Sequence, residues 1–140
     1  MPDLLHHLEI AAPPAKVYRA ITSEAGLRGW WTPDTRAEPR VGAVAEFGFF
    51  SRAVVFRMRI VDLSADRRLV WDCLGDLDEW RGTRLVWDVT PHPKGSTLRF
   101  THGGWPSVSD GFAHSNTTWG GLMHVLRDYA EGKQVLPYFK

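Results

Sequence analysis

The sequence contains six histidines, whose side chains can exchange protons near neutral pH or bind metal ions. No two of them have His-x-x-x-His spacing, and the single cysteine excludes a Cys-x-x-Cys pair. His114 and His124 are ten residues apart, a spacing that does not bring two side chains to one site on a helix. His92 and His102 would lie on adjacent strands at best. We therefore predict no metal site.

Two side chains are candidates for acid–base chemistry. His102 has the parity of an inward-facing strand residue, so it could act as a general base or bond to a bound molecule. The alternative is a histidine satisfied by a backbone carbonyl. Asn116 lies on the apolar stripe of a predicted helix, between Phe112 and Trp119. A buried amide needs partners, so Asn116 either reaches a strand backbone or addresses a molecule in the interior.

Other reactive patterns are weak in this sequence. Cys73 follows Trp71 by two residues, so it should face inward, where its thiol stays protonated and inert. Asp76, Asp78 and Glu79 resemble only the beginning of a calcium loop, and we interpret them as a solvated acidic loop. No Gly-x-Ser-x-Gly elbow, phosphate-binding loop or dinucleotide fingerprint is present. We therefore expect no cofactor.

Alternating apolar residues predict the strands that position these side chains. The first strand covers residues 4–10, and two short helices follow, with Pro14 suited to the first helical position. Thr32-Pro33-Asp34 ends the second of them. The later strands form an antiparallel meander. Their predicted inward residues are Val41, Ala43, Ala45, Phe47 and Phe49; Val54, Phe56, Met58 and Ile60; Leu69, Trp71 and Cys73; Leu85, Trp87 and Val89; and Leu98, Phe100 and His102.

A long amphipathic helix closes the pattern. Its stripe has the spacing of one helical face. Ser107, with Asp110 three residues later, predicts the N-terminal cap, and Gly132 predicts the C-terminal stop. Gly120-Gly121 costs roughly 1 kcal/mol per glycine relative to alanine, which indicates close approach to a strand or a bend. The stripe residues are Phe112, Asn116, Trp119, Met123, Leu126 and Ala130.

Composition bounds the class of protein. The chain has 140 residues, of which 44% are hydrophobic and 24% charged, as in a single globular domain over 1–140. Lys and Arg total 17 against 16 Asp and Glu, so the net charge of +1 argues against a nucleic-acid surface. We see no signal peptide and no membrane-length apolar run. One cysteine is compatible with a cytoplasmic location.

Four segments in order carry a resemblance to a known superfamily: APPAKVYRAIT at 12–22, LRGWWTP at 27–33, LRFTHGGW at 98–105 and TTWGGLMHVLRDYAEGK at 117–133. The chain resembles START-like (SRPBCC) domains, and among them the homologues of the activator of the heat-shock-protein-ninety ATPase. The resemblance implies an α+β helix-grip fold, with a curved antiparallel sheet of about six strands around the long C-terminal helix. Its members include ligand carriers, polyketide cyclase- or dehydratase-like enzymes and stress-linked proteins.

The resemblance further implies a cavity between sheet and helix that binds a hydrophobic or aromatic small molecule. The alternatives are a cyclase-, dehydratase- or hydrolase-like enzyme using the same cavity, and a chaperone-linked or homodimeric module. The apolar residues 135–139 motivate the second alternative, because they must pack on their own domain or on a neighbour. Of the seven tryptophans, we place Trp71, Trp87 and Trp119 between sheet and helix, and the other four at the rim. The predicted ligand-binding residues are Trp30, Trp31, Phe47, Phe56, Met58, Trp71, Trp80, Trp87, His102, Trp105, Phe112, Asn116, Trp119 and Met123.

Overall fold

The computed structural model describes residues 1–75 and 77–140. Within these residues, seven antiparallel strands form one sheet that holds a long helix. The elements in chain order are β1 (Leu4–Ile10), α1 (Pro14–Thr22), α2 (Glu24–Trp30), β2 (Asp34–Arg36), β3 (Val44–Phe49), β4 (Val54–Ser64), β5 (Arg68–Cys73), β6 (Arg84–His92), β7 (Gly95–Gly103) and α3 (Asp110–Ala130). The strand order in the sheet is β1-β7-β6-β5-β4-β3-β2. None of the helices in this part of the chain is long and apolar enough to span a membrane.

This architecture confirms the predicted helix-grip fold, with one strand more than the sequence indicated. The additional strand is β2, which pairs with β3 through Asp34 opposite Gly48 and Thr35 opposite Phe47. Three residues are too few to show alternation, so the prediction ended a helical turn there instead. The Thr32 hydroxyl donates to the carbonyl of Gly48 (2.7 Å) and helps to fix this strand on its neighbour.

The two faces of the sheet differ as the alternation predicted. The concave face is lined by large apolar side chains, whereas the convex face carries paired charges. Arg84 Nε lies 2.7 Å from Asp72 Oδ1 on the neighbouring strand, and this hydrogen bond lowers the pKa of the Asp72 carboxyl. The prediction that Val41 faces inward is wrong, because Val41 lies in the turn before β3 and is exposed.

The N-terminal cap of helix α3 lies two residues later than predicted. Ser109, not Ser107, caps it: the Ser109 hydroxyl accepts from the Phe112 N–H (3.1 Å) and donates to the Glu79 carboxylate. The predicted stop is confirmed, since Gly132 has a φ of +86° and donates its N–H to the Tyr129 carbonyl. Ser107 is a residue type that favours the cap position, but the helical backbone begins only at Asp110.

The paired glycines of α3 have different surroundings, and only one of them is closely approached. A Cβ at Gly120 would lie 4.0 Å from His6 on β1, an ordinary contact. A Cβ at Gly121 would lie only 2.9 Å from the Tyr138 ring. Tyr138 belongs to residues 135–140, here called the tail, which folds back on its own domain. Its Tyr138 and Phe139 N–H groups donate to the carbonyls of Trp30 and Trp31 at the end of α2 (2.9 Å each).

Candidate ligand-binding site

The seven tryptophans form one connected array inside the protein. All are buried, each with at most 7% of its surface exposed, so the prediction that four of them form a rim is wrong. Trp31 lies 5.3 Å from Trp119 between ring centres, and Trp119 stacks on Trp80 at 6.0 Å. The segments carrying Trp30, Trp31, Trp80 and Trp105 fold onto the concave face, which removes these rings from solvent.

At one end of this array, His102 links the rings through hydrogen bonds. The Trp119 indole N–H donates to His102 Nδ1 (3.2 Å), and an indole nitrogen can only donate. Nδ1 is therefore unprotonated, so Nε2 carries the proton and donates to Thr83 Oγ1 (2.9 Å). The Thr83 hydroxyl donates in turn to the Trp80 carbonyl (2.5 Å). Every polar group in this chain of hydrogen bonds has a partner within the protein.

This arrangement makes His102 a structural residue. Burial lowers the pKa of the His102 imidazole to about 3, so it is neutral throughout the physiological range. The His102 side chain faces inward, as its strand parity predicted, and is completely buried. Both ring nitrogens are already occupied by protein groups, and the ring does not line the cavity described next. The geometry therefore gives no support to His102 as a general base.

Three rings of the array, those of Trp31, Trp80 and Trp119, also border a cavity of about 370 Å³. It is bounded by the β3–β4 hairpin, the loop before β6, helix α3 and the tail. None of the described residues that line it is Asp, Glu, Lys or Arg. The lining residues are Trp31, Phe49, Phe50, Val54, Phe56, Leu77, Trp80, His114, Ser115, Thr118, Trp119, Leu122, Tyr138 and Phe139.

Ser115 is the buried polar side chain of this cavity. Its hydroxyl oxygen accepts from the Trp80 indole N–H (3.2 Å), which holds the Trp80 ring over the cavity. Asn116, which the helical stripe placed inside, is exposed, so that prediction is wrong. One residue along a helix turns the side chain by about 100°, and the stripe of α3 enters the interior through Ser115 instead.

The hairpin at the mouth of the cavity has an unusual backbone. Phe50, Ser51 and Arg52 have φ values of 53°, 56° and 67°, in the left-handed region that favours glycine. The Arg52 guanidinium holds this turn, with Nη1 at 2.8 Å from Asp34 Oδ1 and Nη2 at 2.9 Å from Glu46 Oε1. As a result, the Phe50 ring stands at the mouth with 68% of its surface exposed.

The structure distributes the predicted ligand-binding residues over four environments. Four of them line the cavity: Trp31, Phe56, Trp80 and Trp119. Others pack in the core away from it: Trp30, Phe47, Met58, Trp71, Trp87, His102, Trp105 and Met123. Phe112 is half-buried against the edge of Trp105, at a ring distance of 5.3 Å. Asn116, as stated above, is exposed.

Several lining residues were missed by the sequence analysis. Phe49 and Val54 had the inward parity that would have found them. Tyr138 and Phe139 were noted only as part of an apolar segment, because no local pattern says where a terminal segment packs. In the acidic loop, Asp78 is exposed and Glu79 bonds to the Ser109 cap, while Asp76 lies outside the described residues. Cys73 is buried, as predicted.

Comparison with known proteins assigns the fold and the family. Residues 11–131 match the family model described as activator of Hsp90 ATPase homolog 1-like protein. No curated protein matches the chain. The Aha1 dimer from Colwellia psychrerythraea, solved in solution, is 30% identical with a TM-score of 0.86, covering 94% of this chain and 97% of that one.

Two more distant structures share the fold alone. Protein MLL2253 from Mesorhizobium loti is 17% identical with a TM-score of 0.82, covering 96% of this chain and 100% of that chain. The AHSA1-like protein from Aeromonas hydrophila is 15% identical with a TM-score of 0.74, covering 94% of this chain and 93% of that one. The chain belongs to the family of activator of Hsp90 ATPase homolog 1-like proteins.

Proposed function

We propose that the protein binds an aromatic small molecule in the cavity between the β3–β4 hairpin, α3 and the tail. One observation carries this proposal: a cavity of about 370 Å³ lined mostly by aromatic rings. Its volume falls within the roughly 300–1,000 Å³ that small-molecule sites occupy. Phe56 and Trp80, which both line the cavity, stack on one another at 4.3 Å between ring centres, and a planar aromatic molecule can extend such a stack.

The polar group of the cavity restricts the ligand further. Ser115 Oγ already accepts from Trp80, and its own hydroxyl hydrogen has no acceptor among the described residues. A ligand oxygen can take that hydrogen bond. We therefore propose a neutral aromatic molecule with one oxygen acceptor, such as a phenol or an aryl carbonyl. The absence of ionic side chains from the described lining favours a neutral molecule over an acid or an amine.

A titration with 4-butylphenol and butylbenzene tests this proposal. Because Trp31, Trp80 and Trp119 line the cavity, tryptophan emission and melting temperature should both change on binding. We expect 4-butylphenol to bind about fivefold more tightly than butylbenzene, the value of one hydrogen bond. Ser115→Ala should abolish this difference. Thr117→Ala, on the exposed face of the same helix, is the control and should keep it.

Two results would contradict this proposal. One is that neither compound changes the tryptophan emission or the melting temperature of the wild-type protein. The other is that Ser115→Ala discriminates between the two compounds as the wild type does. The hydroxyl group of the phenol would then not bond to Ser115. The cytoplasmic location and a link to stress remain predictions from the sequence.

A second candidate function is assembly of two copies. The relative from Colwellia psychrerythraea is described as a dimer and is 30% identical. In this chain, Phe50, Leu77 and Tyr138 expose 68%, 44% and 43% of their surface around the cavity mouth, and such clusters mark interaction sites. Sedimentation equilibrium should show a dimer that Phe50→Ser weakens. A monomer at all concentrations would contradict it.

The enzymatic alternative has less support. Such an enzyme would need His102 as acid or base and Asn116 as a donor that orients the substrate. The imidazole is occupied on both nitrogens, and Asn116 is exposed. Ser115 and His114 are the polar side chains that line the cavity on the side of α3, together with Thr118. We assign no reaction to them, since none of the three is paired with a second catalytic group in the described structure.

A further inference from the structure

The tail differs from the other walls of the cavity in how it is held. Trp31, Trp80 and Trp119 are buried side chains that belong to the core. The tail has no regular secondary structure, and it is joined to α2 by the backbone hydrogen bonds of Tyr138 and Phe139. Leu136 and Tyr138 expose 76% and 43% of their surface. Phe139 is partly buried against the core. A segment held by so few contacts opens at low free energy, without global unfolding.

The tail nevertheless limits the length of the cavity. The Phe139 ring meets the Phe49 ring edge-on at 4.8 Å between centres, and Tyr138 lies beside it at 5.0 Å. An aromatic ligand would make the same kind of edge contact with Phe49. A molecule too long for the closed cavity can therefore replace Phe139 on Phe49, and the cost is the loss of the tail contacts alone.

We propose that the tail is a displaceable wall of the cavity, and that Tyr138 and Phe139 set the length of the molecule that the closed protein accepts. This inference rests on the proposed function and deepens it from a ligand class to a size limit. The residues that determine specificity are then at the chain terminus, outside the sheet and the helix that form the rest of the site.

The two glycines of α3 provide a matched pair of variants. A Cβ at residue 121 would lie 2.9 Å from the Tyr138 ring, so Gly121→Ala should displace that ring. A Cβ at residue 120 has its nearest neighbour, His6, at 4.0 Å, so Gly120→Ala fits without movement. Both changes replace glycine by alanine in the same helix and so alter its propensity equally. Phe139→Ala removes the wall without changing α3.

A series of 4-alkylphenols with increasing chain length measures the size limit. For the wild type we expect affinity to rise roughly fourfold for each added methylene and then stop rising at a limiting length. In Phe139→Ala and Gly121→Ala the limit should move to longer chains by about two methylenes, whereas Gly120→Ala should keep the wild-type limit. The same limit in all four proteins would overturn the proposal while leaving the proposed function intact.

Amide hydrogen exchange tests the wall without any ligand. The Tyr138 and Phe139 amides should exchange faster than the Trp119 amide in α3 by at least tenfold, and Gly121→Ala should raise their rate further. Exchange of both tail amides at the rate of the Trp119 amide would overturn the displaceable wall. If the wild type binds no member of the series, the proposed function fails, and this measurement still decides whether the tail opens.

Discussion

Trp80 and Trp119 separate two regions of one aromatic interior. On one side, which we call the closed region, His102, Thr83 and Trp105 fill the space between sheet and helix. On the other side, the cavity region, the rings of Phe49, Phe56 and Phe139 leave about 370 Å³ unfilled. The same residue types therefore produce a solid core on one side and a cavity on the other.

The difference lies in the hydrogen bonds. In the closed region the Trp105 indole donates to the His102 carbonyl (3.1 Å), and the imidazole bonds to Trp119 and Thr83. These bonds hold the rings in direct contact, so no space is left between them. The exception is Trp87, whose buried Nε1 has no hydrogen-bond partner in the structure described. In the cavity region the bond from Trp80 to Ser115 fixes one ring, and space remains.

Replacing the ring shared by both regions should have the largest effect. Trp119→Ala removes packing against Trp31, Trp80 and Phe100 and leaves His102 without its donor. We expect the free energy of unfolding to fall by about 3–5 kcal/mol, as for other large-to-small core changes. Urea unfolding measures it. Val108→Ala is the control, because Val108 lies before α3 with 75% of its surface exposed, and it should change this free energy by no more than about 0.5 kcal/mol.

Removing the imidazole should break the closed region specifically. His102→Leu keeps the approximate volume but leaves the Trp119 N–H without an acceptor, at a cost of about 1–3 kcal/mol in the free energy of unfolding. Trp119→Phe removes that N–H. In a double-mutant cycle, Trp119→Phe should therefore cost less in the His102→Leu variant than in the wild type, by about 1 kcal/mol. Strict additivity would argue against the hydrogen bond.

Acid should weaken the closed region through the same residue. The unfolded His102 takes up a proton below about pH 6.5, whereas the folded imidazole, with its pKa lowered to about 3 by burial, does not. The contribution of His102 to the free energy of unfolding is thus fully present above pH 6.5. It is lost as the pH falls towards 3, by on the order of 1 kcal/mol per pH unit. Unfolding curves between about pH 4.5 and 6.5 should show a steeper loss for wild type than for His102→Leu. Parallel slopes would exclude this cause.

The smallest expected effect concerns the hairpin at the cavity mouth. Ser51 has a φ of 56°, a conformation that costs a non-glycine residue roughly 1 kcal/mol. Ser51→Gly should relieve this cost and raise the melting temperature by about 1–3 °C. Ala53, which is not among the residues with positive φ, is the matched position, and Ala53→Gly should lower the melting temperature. A drop in both variants would show that Ser51 is unstrained.

The closed region could largely be predicted from the sequence. Alternation placed His102, Phe100 and Trp87 on the concave face, and all three are buried there. The helical stripe placed Trp119, Met123 and Leu126 against them, and these are buried as well. Side-chain direction repeats with period two in strands and 3.6 in helices, so local order along the chain determines which face a residue takes.

The cavity region could not be predicted in this way, because its parts come from segments without a period. A shift of one residue on α3 exchanged Asn116 for Ser115, and the tail reached Trp30 and Trp31 across more than a hundred residues of sequence. The sequence by itself determined the strands, the long helix and their inward faces, since these follow from local periodicity, and its resemblance to START-like domains implied the helix-grip arrangement. Only the tertiary structure decided where the rings leave space, because a cavity depends on distances between elements that are remote along the chain.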